Sequence, residues 1–128
     1  MPGEAILVVD DNAANLKLAR ILLSEEGYDV RTAGDAEEAL RILEIFKPRL
    51  ILMDVQLPGM DGLELTRRLK ASPEMRDVVV LALTAYAMKG DEERVRRAGC
   101  DGYVTKPIDL DALPVLIREH LDRTDEPP

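Results

Sequence analysis

Three runs of apolar residues along the chain are continuous rather than alternating, at residues 5–9, 50–53 and 78–83. Continuous apolarity is typical of parallel strands that are buried on both faces. Polar and apolar residues alternate at 28–33, which predicts a strand nearer an edge of the sheet. A short fifth strand is predicted at 102–105.

Helical periodicity occupies the segments between these strands. Apolar residues recur at i, i+3, i+4 and i+7 over residues 36–46, and Asp35 is the expected N-cap of this helix. Similar apolar stripes predict further helices over residues 13–26, 62–71 and 110–122.

Two helical segments have unusual features. In the last one, Pro114 is tolerated only in the first turn, which makes Asp111 the expected N-cap. The segment 87–98 has few apolar residues, chiefly Val95 and Ala98, so its contacts with a core should be few. Two interpretations stay open for it: a solvated surface helix, or a mobile face that partner proteins recognise.

The alternation of strand and helix runs five times along the chain. This order predicts an α/β fold in which helices cover both faces of a parallel sheet through right-handed crossovers. Five units favour a flavodoxin-like (βα)5 three-layer sandwich with strand order 2-1-3-4-5. We expect a single domain over residues 1–128, with a core at about 5–121 and a frayed tail at 122–128.

Composition narrows the classes of function. The formal net charge is −8, which disfavours binding to nucleic acid or anionic lipid. The single cysteine, Cys100, is expected to be a packing residue, and His120 an exposed helix residue. A lone cysteine suits a reducing compartment, and no basic leader or apolar run of about 20 residues is present. We therefore expect a soluble, cytoplasmic protein with no membrane segment.

Polar side chains follow the strands whose ends should converge. In a sheet of order 2-1-3-4-5, ligands bind outside the carboxyl ends, at the switch point between the first and third strands. Five polar residues occupy the strand ends near this point: Asp10, Asp11, Asp54, Thr84 and Lys106. Since each alone could be a turn, cap or surface residue, the prediction of a site depends on their joint occurrence.

Three acids and a lysine in one place suit phosphoryl transfer. Closely packed carboxylates repel one another and need a cation, and Mg²⁺ prefers oxygen ligands and keeps waters that a phosphate can replace. A carboxylate can also act as a nucleophile and become an aspartyl phosphate. Mg²⁺ and Lys106 would neutralise the charge, while the Thr84 hydroxyl would donate to a phosphoryl oxygen. The residues thus predict a phosphoryl site centred on Asp54.

The chain resembles a response-regulator receiver domain of the CheY-like superfamily, from residue 5 to about residue 121. The resemblance is carried by four stretches, at 7–12, 52–62, 83–85 and 103–107. Residues 85–94 together with 98–100 are also similar to single-domain regulators of bacterial cell division, and to receivers attached to hybrid histidine kinases.

The resemblance implies a phosphoacceptor and its metal ligands. Asp54 matches the residue that accepts the phosphoryl group. Asp10 and Asp11 match the acidic pair, in which Asp11 binds Mg²⁺ directly and Asp10 binds it largely through water. Gln56 lies where a backbone carbonyl binds the metal. The implied cofactor is therefore Mg²⁺, with Asp54 itself as a further ligand.

The resemblance also implies a switch. Thr84 and Lys106 match the residues that contact the phosphoryl group, and Tyr103 matches an aromatic side chain that turns inward when Thr84 moves toward the phosphate. The bond before Pro107 is expected to be cis. Tyr86, like Gln56, lies at a position that tunes the lifetime of the phosphoryl group in the family.

The implied function is that of a single-domain response regulator, possessing no enzymatic activity beyond its own phosphorylation and dephosphorylation. A histidine kinase or a histidine phosphotransfer protein would donate the phosphoryl group. A downstream protein would recognise the face formed by the fourth helix, the fifth strand and the fifth helix, in cell-cycle or division signalling. A relay intermediate and a receiver excised from a hybrid kinase stay open.

Two other classes of function fit the residues less well. A Mg²⁺-dependent phosphatase of the haloacid-dehalogenase type would carry Asp-x-Asp after the first strand, whereas Asp10 and Asp11 are adjacent and no second general acid is suitably placed. A flavin or nucleotide binder would need a phosphate-binding loop. The first loop, at 10–14, has no glycine and carries two negative charges.

Overall fold

A computed structural model describes the chain over residues 3–84, 89–106, 109 and 111–125, the side chains of 89–91 and 123–125 excepted. Strands and helices alternate along it. In chain order they are β1 (Ala5–Val9), α1 (Ala13–Glu25), β2 (Asp29–Ala33), α2 (Ala36–Leu43), β3 (Leu50–Asp54), α3 (Gly62–Ala71), β4 (Val79–Thr84), α4 (Lys89–Arg97), β5 (Gly102–Thr105) and α5 (Leu113–Asp125).

The strands form one parallel sheet of order β2-β1-β3-β4-β5. This confirms the predicted flavodoxin-like architecture. The register aligns the carboxyl ends of neighbouring strands, since Val9 pairs with Met53 and Thr84 pairs with Thr105. The polar residues at these ends are therefore brought to one edge of the sheet.

The three predicted continuous apolar runs are the three central strands. Every residue of β3 and β4 is buried, as are four of the five residues of β1. The outer strands β2 and β5 alternate between more and less exposed residues instead. Helices on both faces therefore exclude water from the centre of the sheet, and each fully buried Leu or Ile contributes about 1.5–3 kcal/mol.

Two hydrophobic layers lie on opposite faces of the sheet. One joins alternate residues of the central strands, such as Met53, to Leu65 of α3 and to α2 and α4. The other joins the intervening residues, such as Leu52, to Ile117 of α5 and to α1. Successive strand residues thus contribute to different layers, as the period of a strand requires.

Side-chain oxygens cap the first three helices. Asn12 accepts hydrogen bonds from the backbone N–H groups of Ala14 and Asn15 at the start of α1. Asp35 accepts from the N–H of Glu38 at the start of α2, which confirms the predicted N-cap. Asp61 serves α3 in the same way. These caps satisfy backbone donors that have no partner within the helix.

The start and end of α5 differ from the prediction. The helix begins at Leu113, and the preceding turn is capped by Asp109 rather than Asp111, because the Asp109 carboxylate accepts from two backbone N–H groups of that turn. Pro114 lies in the first turn, as expected. The segment predicted to fray from Asp122 is helical as far as Asp125, and residues 126–128 lie outside the described part of the chain.

Three predictions about single residues are resolved by burial. Val95 of α4 and Ala98, which follows the helix, are buried, and Cys100 is buried as a packing residue, as predicted. His120 is not fully exposed: it is half-buried, and its ring lies so close to Gly102 that a β-carbon there would be 3.1 Å from His120 Cε1. Because Gly102 of β5 has no side chain, the His120 ring has room beside the strand.

A charged cluster closes the edge of the sheet opposite the candidate site. Glu4 is buried and accepts hydrogen bonds from Arg49 and Arg118, each at 2.8 Å. Arg118 also donates to the Tyr28 hydroxyl at 2.9 Å. The cluster ties α5 to the starts of β1 and β3.

Within the described part of the chain, no helix has both the length and the apolar character needed to cross a bilayer.

Candidate functional site

Three carboxylates meet at the carboxyl edge of the sheet. Asp54 ends β3 and Asp10 follows β1, and each is only 1% exposed, whereas Asp11 is exposed to solvent. One oxygen from each of the three lies within 4.8 Å of the others. These oxygens are of the ligand type that Mg²⁺ prefers, and their spacing suits a shared cation. The residues therefore fit a divalent cation at this point.

Lys106 brings a positive charge into the same cluster. Its Nζ atom donates to Asp54 Oδ2 at 2.8 Å and lies 4.0 Å from Asp10 Oδ2. The Lys106 backbone N–H donates to the Thr84 carbonyl oxygen at 2.8 Å, which fixes the chain as it leaves β5. The parallel register of β4 and β5 thus places this lysine over the ends of the central strands.

Burial and mutual repulsion act on the Asp10 carboxylate. Burial raises the pKa of Asp10 above its usual value, and the neighbouring Asp54 carboxylate raises it further. The hydrogen bond from the Asn12 backbone and the charge of Lys106 oppose this effect without cancelling it. The charged form of Asp10 is therefore unfavourable in the folded protein unless a further positive charge binds beside it.

The first turn of α1 also holds Asp10. The Asn12 backbone N–H donates to Asp10 Oδ1 at 2.9 Å. The side-chain amide of Asn15 donates to Asp10 Oδ2 at 3.3 Å. Asn15 was not predicted as a site residue, because it lies within the helix predicted at 13–26, whose visible pattern in the sequence is its apolar stripe. The indication available in the sequence was a polar residue in the first turn of this helix, three positions after Asn12.

The backbone around Asp54 is held from two sides. The Gln56 backbone N–H donates to Asp54 Oδ1 at 2.9 Å, while the Gln56 side chain is exposed. The Val55 backbone N–H donates to the Leu83 carbonyl oxygen at 3.0 Å. Gly62, at the start of α3, packs directly against the Asp54 backbone. The role of the Gln56 carbonyl as a metal ligand stays a prediction.

Thr84 lies at the end of β4 beside a cavity of about 450 Å³. Gln56 lines this cavity from the loop after β3, and Arg94 and Val95 line it from α4. A free volume between the strand end and α4 gives the end of β4 room to move. The structure thus brings Thr84 to the same edge as the three acids, and its contact with a phosphoryl group stays a prediction.

Tyr103 lies on β5, in register with Ala82 of β4. Ala82 is two residues before Thr84, so the side chains at 103 and 84 share one face of the sheet, about 6.6 Å apart along the strand direction. That face is the one covered by α4, since Ala82 and Val95 belong to the same hydrophobic layer. Tyr103 is 37% exposed, so its ring is not enclosed in this structure.

The structure therefore brings the candidate site residues that the sequence predicted to the same end of the sheet as Asp54. Tyr103 lies on β5, two residues before the residue that pairs with Thr84. Two predictions, the cis bond before Pro107 and the tuning role of Tyr86, fall on residues outside the described part of the chain.

Comparison with known proteins gives matches over most of the chain. The model of the response regulator receiver domain family matches residues 6–118. The polar-differentiation response regulator DivK of Brucella anthropi is 43% identical over 118 residues, which are 92% of this chain and 96% of that protein. DivK of Brucella ovis shows the same identity and coverage. The similarity to a single-domain regulator noted in the sequence is thereby confirmed.

Solved structures give the same result. A CheY-like receiver domain protein from Methanospirillum hungatei is 35% identical with a TM-score of 0.86, covering 96% of this chain and 97% of that one. The receiver domain of a sensor histidine kinase from Pseudomonas aeruginosa, solved with a magnesium ion in its active site cleft, is 35% identical with a TM-score of 0.84, covering 94% and 98%. Sequence and structure together show that this chain belongs to the response regulator receiver domain family of two-component signalling proteins.

Proposed function

We propose that this chain is a single-domain response regulator that accepts a phosphoryl group on Asp54 from a histidine kinase or a histidine phosphotransfer protein. The observation that carries this proposal is the position of Lys106 Nζ, 2.8 Å from Asp54 Oδ2, within a cluster of three acids whose oxygens lie within 4.8 Å. A buried carboxylate with one fixed cation and room for a second is suited to phosphoryl transfer.

The transfer is a displacement at phosphorus. An oxygen of Asp54 forms the new P–O bond, the P–N bond of the donor phosphohistidine breaks, and its electron pair stays on the imidazole nitrogen. Asp10, Asp11, Asp54 and the Gln56 carbonyl would hold Mg²⁺, which would supply positive charge to the phosphoryl oxygens when bound. Lys106 supplies the protein's own positive charge. The chain needs no further catalytic group, and we propose no enzymatic activity beyond its own phosphorylation and dephosphorylation.

Phosphorylation would move the contacts of Lys106 and Thr84. The phosphorylated side chain carries about −1.5 to −2 charges in place of the single negative charge of the carboxylate, and it presents three acceptor oxygens at a buried position, so Lys106 and the Thr84 hydroxyl reorient toward it. Thr84 borders the cavity beneath α4, and Tyr103 lies on the same face of the sheet. A shift at Thr84 therefore opens space for the Tyr103 ring and changes the α4-β5-α5 face.

The setting of this switch is proposed from the relatives. DivK is named as a polar-differentiation response regulator, which supports a role in cell-cycle or division signalling. We place this role in the cytoplasm, and we propose that it acts through protein partners that bind the α4-β5-α5 face. We propose one receiver domain over residues 1–128 as the working unit. The net charge of −8 supports protein partners over nucleic acid or membranes.

A small phosphodonor tests the proposal without knowledge of the kinase. The purified protein is incubated with phosphoramidate, with Mg²⁺ or with a chelator, and its intact mass is measured. We expect one added phosphoryl group with Mg²⁺, and none with the chelator or in Asp54→Asn. Addition to Asp54→Asn at the wild-type rate would refute the assignment of the acceptor.

A relay intermediate is the second candidate, because the chain is 35% identical to the receiver domain of a sensor histidine kinase. A relay receiver passes its phosphoryl group on to a histidine, whereas a terminal regulator keeps it until hydrolysis. Phosphorylated protein is mixed with histidine phosphotransfer proteins, and the label is followed. Rapid transfer to the histidine protein favours the relay, and retention favours the terminal regulator.

A further inference from the structure

The side-chain amide of Asn15 contacts the candidate metal site although its residue belongs to the first turn of α1. Asn15 Nδ2 donates to Asp10 Oδ2 at 3.3 Å. The same carboxylate accepts from the Asn12 backbone N–H through its other oxygen at 2.9 Å. Both oxygens of Asp10 thus accept hydrogen bonds from residues at the start of α1.

Asn15 is itself held in place. Its backbone N–H donates to the Asn12 side-chain oxygen at 3.1 Å, which forms part of the cap of α1. Its side chain is partly buried, so the amide has a restricted set of positions. A hydrogen bond from a rigid helix start restricts rotation of the Asp10 carboxylate about its χ2 bond. The Asp10 oxygens are therefore presented to Asp11 and Asp54 in one orientation.

Helix formation alone does not explain an asparagine here. Asn is a poorer helix former than Ala, Leu or Lys, and the N-cap of α1 is already supplied by Asn12. An amide suits the neighbouring acids better than a second lysine would. It donates a hydrogen bond to Asp10 without adding a permanent charge that would compete with a bound cation.

We propose that Asn15 is a positioning residue for the phosphoryl site, which fixes the Asp10 carboxylate so that it can serve a divalent cation together with Asp11 and Asp54. This inference rests on the proposed function. It assigns to the first turn of α1 a part in metal affinity that is separate from its part in folding. Removal of a side chain that orients a metal ligand typically lowers metal affinity on the order of tenfold or more.

The test measures Mg²⁺ binding directly, by calorimetry at neutral pH, in the wild type, Asn15→Leu and Asn15→Asp. Ser24→Ala is the control, because Ser24 is an exposed polar residue in the last turn of the same helix. We expect the Mg²⁺ dissociation constant to rise on the order of tenfold in Asn15→Leu. Ser24→Ala should stay within twofold of the wild type. Asn15→Asp replaces the donating amide with a carboxylate that can only accept, so it should lose the fixed orientation of Asp10 as well.

Two further readouts separate positioning from stability and from the proposed function. With phosphoramidate, Asn15→Leu should need about tenfold more Mg²⁺ for half-maximal phosphorylation and should approach the wild-type rate at saturating Mg²⁺. If the Mg²⁺ affinity of Asn15→Leu is within twofold of the wild type, the inference is overturned, whether or not the free energy of unfolding of this variant is lower. If the wild type is phosphorylated on Asp54 in that case, only this inference fails. If Asp54→Asn is phosphorylated as fast as the wild type, the proposed function fails instead.

Discussion

Gly62, the first residue of α3, lies directly against the peptide carbonyl of Asp54. A β-carbon at position 62 would overlap the Asp54 carbonyl oxygen and come within 3.1 Å of Met53 Cγ. The Gly62 N–H donates to the Val55 carbonyl oxygen at 3.0 Å. The start of α3 therefore packs on the backbone that carries the candidate acceptor, and a residue with a side chain does not fit there without displacement.

Gly62→Ala is expected to lower the free energy of unfolding by about 1–3 kcal/mol, because the added methyl group forces the start of α3 away from β3. Gly34→Ala is the matched control, since no atom lies within 4 Å of a β-carbon built there. It should change stability by less than about 1 kcal/mol. Urea denaturation of both variants measures the difference, and equal effects would contradict this account of the packing.

Asp10→Asn is expected to stabilise the protein in the absence of metal. The pKa of Asp10 is raised, so the folded state favours the neutral form and the charged form costs stability as the pH rises through that pKa. The neutral amide should raise the free energy of unfolding by about 1 kcal/mol at pH 7 in a chelator, with a smaller gain at acid pH. Mg²⁺ should then stabilise the variant less than the wild type.

Asp11→Asn provides the comparison, because Asp11 is exposed and should change metal-free stability little. Thermal denaturation at neutral and acid pH, with chelator or with Mg²⁺, measures the stability of the wild type and of both variants. A destabilised Asp10→Asn protein in chelator would show that the cost of burying the charged Asp10 carboxylate beside Asp54 is not the dominant effect.

Glu4→Gln is expected to weaken the opposite edge of the sheet. Burial alone raises the pKa of Glu4, but the hydrogen bonds from its positively charged partners, Arg118 among them, outweigh it and lower the pKa overall. The stabilisation is therefore present above the unfolded pKa of about 4.3 and is lost as the pH falls through the lower folded value. The variant should lose about 1–2 kcal/mol at pH 7, since both arginines are partly exposed.

The difference between wild type and Glu4→Gln should shrink as the pH falls below the unfolded pKa of Glu4 and through its lower folded pKa. Glu25→Gln, at an exposed residue that ends α1, controls for the loss of one negative charge. Urea denaturation as a function of pH measures both. A difference that is constant from neutral to acid pH would mean that the charge of Glu4 does not contribute.

The central strands and the acid cluster could be predicted from the sequence for a physical reason. A strand buried on both faces must be apolar throughout, so its end is marked by the first polar residue, such as Asp10 or Asp54. Parallel strands then bring those residues to one edge whatever the details of the helices. The positions of Asp54 and Lys106, 52 residues apart in sequence, follow from this topology alone.

Contacts that depend on packing between elements could not be predicted in this way. Asp109 and Asp111 are equally good caps by residue type, and only the path of the chain into α5 decides between them. The fit of Gly62 against Asp54 depends on how closely α3 approaches the sheet. His120 is half-buried because β5 has a glycine opposite it, which periodicity along α5 does not reveal.

The proposed switch predicts where a phosphoryl mimic changes the protein. With Mg²⁺ and beryllium fluoride, the amide resonances of Thr84, Tyr103 and residues 92–97 should shift, since these residues adjoin the site, share one face of β4 and β5, or lie on α4. The resonance of Glu4, at the opposite edge, should stay in place and serves as the internal control. Shifts confined to the residues that contact the mimic would contradict a switch at the α4-β5-α5 face.

The central claim is that Asp54 receives the phosphoryl group. Its most direct test is phosphotransfer from a labelled histidine kinase or histidine phosphotransfer protein to the wild type, Asp54→Asn and Asp11→Asn, followed by mapping of the label to a residue. The account predicts label on Asp54 in the wild type, little label in Asp11→Asn at limiting Mg²⁺, and none in Asp54→Asn. Label on Asp54→Asn at the wild-type rate, or mapped to another residue of the wild type, would contradict it.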